Sequence, residues 1–114
     1  MVQDATIGVL QFAVDSLSLR QQVIADNIAN NQTPGYIAEQ VNFEKSLEQA
    51  VSASGPSSAH ATISYSGVAP GTDGNNVSLG QQMVDAEKTS LGYQTMISLL
   101  TSKFNQIRDA SQAG

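Results

Sequence analysis

The chain has 114 residues, 40% hydrophobic and 13% charged, and its ten acidic against five basic residues give a net charge of -5. That length holds one small domain, and without a Lys/Arg cluster to neutralise phosphates it excludes nucleic acid and anionic lipid as electrostatic partners. With no cysteine and a single histidine, His60, disulfides, thiolate metal sites, cysteine nucleophiles and most histidine-based catalysis are excluded too.

No apolar run approaches the ~20 residues of a membrane span, so direct membrane insertion is not expected. The N-terminus lacks the basic region and small-residue cleavage site of a secretory signal, so any export is expected to proceed without a cleavable signal peptide.

Residues 4 to about 30 step three, four, three, four through Ile7, Leu10, Val14, Leu17, Gln21, Ile24 and Ile28. That spacing predicts a helix with a heptad-like seam. Asp4 marks its start weakly, and Asn30, Asn31 and Thr33-Pro34-Gly35 mark its end, since Asn tolerates the left-handed conformation and Pro cannot continue a helix. Pro34-Gly35 suits the central pair of a type II turn, with Gly35 at positive φ. Asn27 and Asn30 are expected to bond to backbone groups at the helix end.

The middle is rich in Ser, Ala, Gly and Pro. Phe43, Leu47, Ala50 and Val51 predict a short amphipathic helix over 42–52, residues 53–60 read as a flexible linker, and Ile63 and Tyr65 alternate as in a short strand over 61–66. A Gly/Asp/Asn loop runs on to residue 76.

From Ser78 to about Asp109 a second helix is predicted, with Leu79, Met83, Ala86, Ser90, Tyr93, Ile97, Leu100, Phe104 and Ile107 in four-three alternation. Ser78 and Gln81 read as a capping box, and Gly92 costs roughly 1 kcal/mol relative to Ala, so packing is expected to support the helix there. The expected units are an axial helix and turn over 1–36, an insertion over 37–76 and a second axial helix over 77–114.

Helices of roughly 40 and 48 Å do not fit a ball whose radius of gyration would be about 13 Å. The expected fold is therefore all-α: an elongated, coiled-coil-like antiparallel pair with a small irregular insertion at the end where the chain turns back. The intramolecular seam is assigned to Leu10, Val14, Leu17 and Ile24 on the first helix and to Met83, Tyr93, Ile97, Leu100 and Phe104 on the second. Val9, Phe12, Leu19 and Val23 fall behind the first seam, and Val84, Leu91 and Leu99 behind the second. Leaving such side chains in water forgoes roughly 1.5–3 kcal/mol apiece, and a two-helix hairpin covers only one face of each rod. The middle segment folding over them, or a plain dimer, is one way to cover these seven residues; because one short helix cannot mask two sides of two such rods, they are expected to pack against several neighbouring subunits.

The stretch Val23 to Tyr36 resembles the N-terminal signature of the bacterial flagellar rod and hook protein family, in which a long helix ends in an Ala-x-Asn-Ile-Ala-Asn run followed by Thr-Pro-Gly-Tyr. Ala25, Asn27, Ile28, Ala29, Asn30, Thr33, Pro34, Gly35 and Tyr36 occupy the matching positions. Residues 73–83 and 91–107 are similar to the proximal-rod branch of that family.

The resemblance implies an axial, non-enzymatic component of the periplasmic rod that polymerises helically, its terminal helices lining the export channel. In its local geometry the turn after the first helix reads as an ordinary helix terminus, and Tyr36 and the turn are expected in addition to contact an adjacent subunit. The implied partners are further copies of the chain, other flagellar rod proteins, the MS ring with its hook-basal-body adaptor protein, and the flagellar type III export apparatus. A reading of a different class is a helical-hairpin adaptor or secretion chaperone whose second apolar stripes bind client segments.

No cofactor, metal or catalytic residue is assigned. Asp85 and Glu87 point to different sides of their helix, Asp73-Gly74-Asn75 lacks the spaced ligands of a calcium loop, the glycines from 67 to 74 lack the phosphate-loop ending, and His60 is expected to be exposed. Asn76-Val77-Ser78 matches a glycosylation acceptor, but helix capping accounts for it better.

Overall fold

The computed structural model describes residues 2–53 and 58–113. Five elements follow one another: helix α1 (Val2–Ala29), strand β1 (Glu39–Asn42), helix α2 (Glu44–Ser52), strand β2 (Thr62–Tyr65) and helix α3 (Leu79–Ala113). The molecule is a rod, 66 × 23 × 14 Å, with a radius of gyration of 17.6 Å, well beyond the ~13 Å of a compact chain of this length.

α1 and α3 pack along their lengths, and their direction follows from two contacts. Asn27 near the end of α1 meets Gln82 near the start of α3 at 3.0 Å, while Leu17 lies against Gly92. The pair is antiparallel, as expected.

The fold is mostly helical rather than all-α. β1 and β2 form a two-stranded antiparallel sheet, with Glu39 opposite Tyr65 and Val41 opposite Ile63. Glu39–Asn42 carries little intrinsic strand preference, and α1 supplies what the sequence lacks. The Asn27 amide takes both the N–H (3.0 Å) and the C=O (2.8 Å) of Glu39, as a neighbouring strand would, and Arg20 donates to the Val41 carbonyl at 2.6 Å.

The insertion is also not confined to the turning end. It runs back along α1 from Asn27 to Phe12, a distance of about 22 Å along the helix. There the Phe43 ring meets Phe12 edge-on at 6.3 Å, and the Arg20 guanidinium lies 4.6 Å over the Phe43 ring while its nitrogens grip both carboxylate oxygens of Glu44 at 2.7 and 2.8 Å. The core follows from this arrangement: Leu17, Val23, Val41 and Phe43 are buried together, with Phe12, Leu19, Leu47, Ala61, Tyr93 and Met96 against them.

α2 begins after Phe43, two residues later than its apolar spacing suggested, because Asn42 belongs to the strand. Of the expected 53–60 linker, residues 54–57 lie outside the described residues. Beyond them the chain is pinned, since the exposed His60 donates its backbone N–H to the Ser46 hydroxyl at 2.9 Å.

Candidate functional site

Two features stand out: a polar junction where α1 ends, and an apolar flank along α3.

At the junction the Thr33 carbonyl accepts the Tyr36 N–H at 3.2 Å, with Gly35 at φ 76°, which is the geometry a Pro-Gly type II turn needs. Asn30 stops the helix: its amide donates to the Asp26 carbonyl at 2.8 Å and accepts from the Thr33 hydroxyl at 3.1 Å. Asn27 does something else. Its side chain is 1% exposed and uses both amide hydrogens and both carbonyl lone pairs, donating to the Glu39 carbonyl and to Gln82 and accepting from the Glu39 N–H and the Tyr36 hydroxyl. Its side chain therefore bonds nine, twelve and fifty-five residues away, not at its own helix end.

Tyr36 is half-buried, and its pKa is raised above the usual phenol value by burial, then by the carboxylates of Glu39 and Asp26. Its hydroxyl stays a donor, and it is spent inside the chain.

Asn75 and Asn76, which the sequence placed only in a loop before the second helix, complete the junction. Asn75 donates to the carbonyls of Asn30 and Thr33 and accepts from the Val77 N–H. Asn76 donates to the carbonyls of Ser66 and Val68 and accepts from the Ala38 N–H. Its amide is buried and engaged, so the formal glycosylation acceptor is occupied structurally. Gly74, at φ 80°, brings its backbone so close to Gly35 that a Cβ would sit 3.3 Å from the Gly35 Cα. The expected capping box is half made: Ser78 Oγ accepts from the Gln81 N–H at 3.4 Å, but the Gln81 side chain reaches forward to Asp85.

The expected interface residues divide. Val23 is 7% exposed, and Phe12 and Leu19 are packed on the core; they are covered within the chain because β1 and α2 lie along that side of α1. Val9 is half-buried. The expectation that Phe12, Leu19 and Val23 face neighbours is corrected on that ground. On α3 the second stripe is exposed as expected from its position, with Val84 at 45%, Leu91 at 67% and Leu99 at 46%.

The seam is also corrected in part. Leu17 and Ile24 are buried and Leu10, Val14, Tyr93 and Leu100 half-buried, but Met83, Ile97 and Phe104 are exposed. The protected face of α3 runs through Gln82, Ala86, Thr89, Tyr93, Met96, Leu100, Lys103 and Ile107, the same four-three rhythm with alternate positions displaced by one residue. Of the motif residues, Ala25, Ala29, Thr33, Pro34 and Gly35 are exposed, and Ile28 and Asn30 half-buried.

Seven large apolar side chains on α3 are thus exposed, and none on α1 among the described residues. At ~100° per residue, Leu79, Met83, Ile97 and Phe104 share one flank and Val84, Leu91 and Leu99 the far side. Elsewhere the surface offers an open cleft of about 470 Å³ bordered by Arg20, Val23, Gln40, Gln82 and Lys88. Among the described residues no group of three or more His, Asp or Glu side chains is placed to hold a metal ion, and no helix is long and apolar enough to cross a membrane.

No protein-family model matches the chain. Individual relatives do. It is 32% identical over 122 residues to the flagellar basal body rod protein FlgB of Bacillus subtilis (strain 168), covering 96% of this chain and 95% of that protein. The chain belongs to the FlgB family. The FlgB protein of Aeromonas hydrophila is 30% identical over 94% of this chain and 92% of its own length, and that of Escherichia coli (strain K12) 24% identical over 97% and 96%. Near-complete coverage on both sides means that the likeness to FlgB takes in the insertion as well as the long helices.

Proposed function

We propose that the chain is a non-enzymatic structural subunit of the proximal rod of a bacterial flagellar basal body. The observation that carries this reading is the likeness to FlgB of Bacillus subtilis over almost the whole of both chains.

The geometry supplies a physical rationale. α3 leaves Leu79, Met83, Val84, Leu91, Ile97, Leu99 and Phe104 substantially in water, and burying even half of each such side chain is worth about 1 kcal/mol. Copies of the chain, and other flagellar rod proteins, would recover that energy by packing along α3. One flank of α1 is covered instead by the insertion, which Asn27 and Arg20 fasten to it, so that helix and insertion would move as one body when the rod passes torque.

On this reading the subunit reaches the periplasm through the flagellar type III export apparatus without a cleavable signal peptide. It joins the MS ring and the hook-basal-body adaptor protein at the membrane end. The motif residues Ala25, Ala29, Thr33, Pro34 and Gly35, exposed around the junction, form a second contact with an adjacent subunit.

Cryo-electron microscopy of purified basal bodies tests the reading. The two long helices of this chain should account for density at the base of the rod, and basal bodies from cells deleted for the chain should lack a rod. Complete rods in the deletion strain would overturn it.

A further inference from the structure

The two outer edges of the small sheet are treated differently. Both backbone groups of Glu39 are bound by Asn27, and the Val41 carbonyl by Arg20, so these residues turn their backbone away from β2. In an antiparallel ladder alternate residues face alternate edges. Tyr65 and Ile63, opposite Glu39 and Val41, therefore turn their N–H and C=O groups out of the other edge. The bond from the Ser66 N–H to the Ala38 carbonyl at 2.7 Å keeps the same alternation one residue on.

The outer edge of β1 is closed by α1 side chains, while that of β2 meets no hydrogen-bonding group among the described residues. All four residues of β2 are exposed, Ile63 by 49% and Tyr65 by 71%. Folded proteins usually blunt such an edge with a charge, a proline or a bulge. Thr62-Ile63-Ser64-Tyr65 has neither charge nor proline, and its ladder runs without a bulge.

We infer that this edge pairs with the same edge of a second copy of the chain, antiparallel and centred on Ser64, joining two two-stranded sheets into one of four strands. The free groups admit that occupant in one register. With Ser64 at the centre, each Ile63 stands opposite the partner's Tyr65, and every outward N–H meets a C=O. Centring on Ile63 or on Tyr65 instead would set one of the two residues against Ala61 or Gly67, outside the strand. No charge in the strand opposes the approach, and Ile63 and Tyr65, on one face, gain apolar cross-strand neighbours.

A four-residue edge buries far less than the ~1,200 Å² of a lasting interface, so the pairing is reversible and concentration-dependent. It is closed by a two-fold axis, which separates it from the open-ended contacts proposed for the rod.

Because the chain has no cysteine, single substitutions in the full chain read this pairing directly. Residues opposite one another in a non-hydrogen-bonded antiparallel pair have Cα atoms about 4.5 Å apart, within the reach of a disulfide. Under mild oxidation Ser64→Cys should cross-link to itself about tenfold faster or more than Thr72→Cys on the exposed loop, because pairing raises the local thiol concentration. A mixture of Thr62→Cys and Ser66→Cys should cross-link as a heterodimer, while either alone should stay at the Thr72→Cys rate. Equal rates for Ser64→Cys and Thr72→Cys overturn the inference, and so does Thr62→Cys joining itself as fast as the mixture. In the unmodified chain, the Ile63 and Tyr65 amides should exchange with solvent more slowly as concentration rises; exchange independent of concentration also overturns it.

Discussion

Asn27 spends every hydrogen-bonding position of its side chain on three different partners, Glu39, Tyr36 and Gln82, and so ties α1, the turn, β1 and α3 at one point. Asn27→Asp keeps the shape and reverses the chemistry, turning a buried donor into a carboxylate oxygen facing the Glu39 carbonyl. The expected loss is about 2–4 kcal/mol, read as a lower urea midpoint with unchanged slope. A midpoint within error of the parent chain would mean that the node is not what holds the junction.

Arg20 offers a second residue-scale test through Glu44. The hydrogen bonds from Arg20 hold the Glu44 carboxyl below its ordinary pKa, against a smaller opposing effect of burial. A carboxyl depressed in the folded state adds stability above its unfolded pKa and loses it as pH falls through the folded one. The parent chain should therefore exceed Glu44→Gln by about 1 kcal/mol or less at pH 7, since Glu44 is 64% exposed and such pairs are screened. The two should converge once acid has protonated Glu44. A gap that widens in acid would contradict the assignment.

At the scale of elements, both long helices were legible because their apolar periodicity extends over about six turns or more, and Gly35 announced its positive φ in the Pro34-Gly35 pair. What misled was polarity. Gln82 and Thr89 occupy the α1-facing side of α3, yet a search for apolar residues passes over them in favour of Met83 and Ser90. Thr89 is 4% exposed because its hydroxyl donates to the Asp85 carbonyl at 2.7 Å, and Gln82 is held by Asn27, so neither is costly to enclose.

β1 was illegible for a related reason: its edge is completed by side chains of α1, twelve and twenty-one residues away in sequence. The alternation of Val41 and Phe43 was its one local trace. Arg20, the lone cation in the first 44 residues, was the corresponding sign that α1 carries a partner on that side.

Gly92 gives this scale its prediction. A Cβ there would lie 3.7 and 3.8 Å from the Leu17 methyls, ordinary van der Waals contact, so no steric demand requires glycine. Gly92→Ala should stabilise the chain by about 1 kcal/mol through helix propensity, seen as a higher melting temperature. A lower one would mean that the helices sit closer at this point than the Leu17–Gly92 distances allow.

Over the whole molecule, apolar surface is distributed asymmetrically: among the described residues α1 leaves no large apolar side chain exposed, while α3 has one covered face and two open ones. Greasiness on several sides was expected of both helices and holds only for the second. This separates two substitutions that sequence spacing alone treats alike. Phe12→Asp places a carboxylate against Phe43 in the core and should cost about 3–5 kcal/mol, leaving too little of a typical domain's 5–15 kcal/mol for a stable subunit. Leu91→Asp alters a side chain that is 67% exposed and should change the urea midpoint by no more than about 0.5 kcal/mol. In cells deleted for the chain, neither variant should restore rods or motility. Leu91→Asp should fail as a folded protein that does not assemble, and Phe12→Asp as one that does not fold. If Leu91→Asp restores motility, the α3 flank is not a subunit contact; if Phe12→Asp is as stable as the parent, α2 and β1 do not cover α1, and the outward-facing stripe must be sought on both helices again.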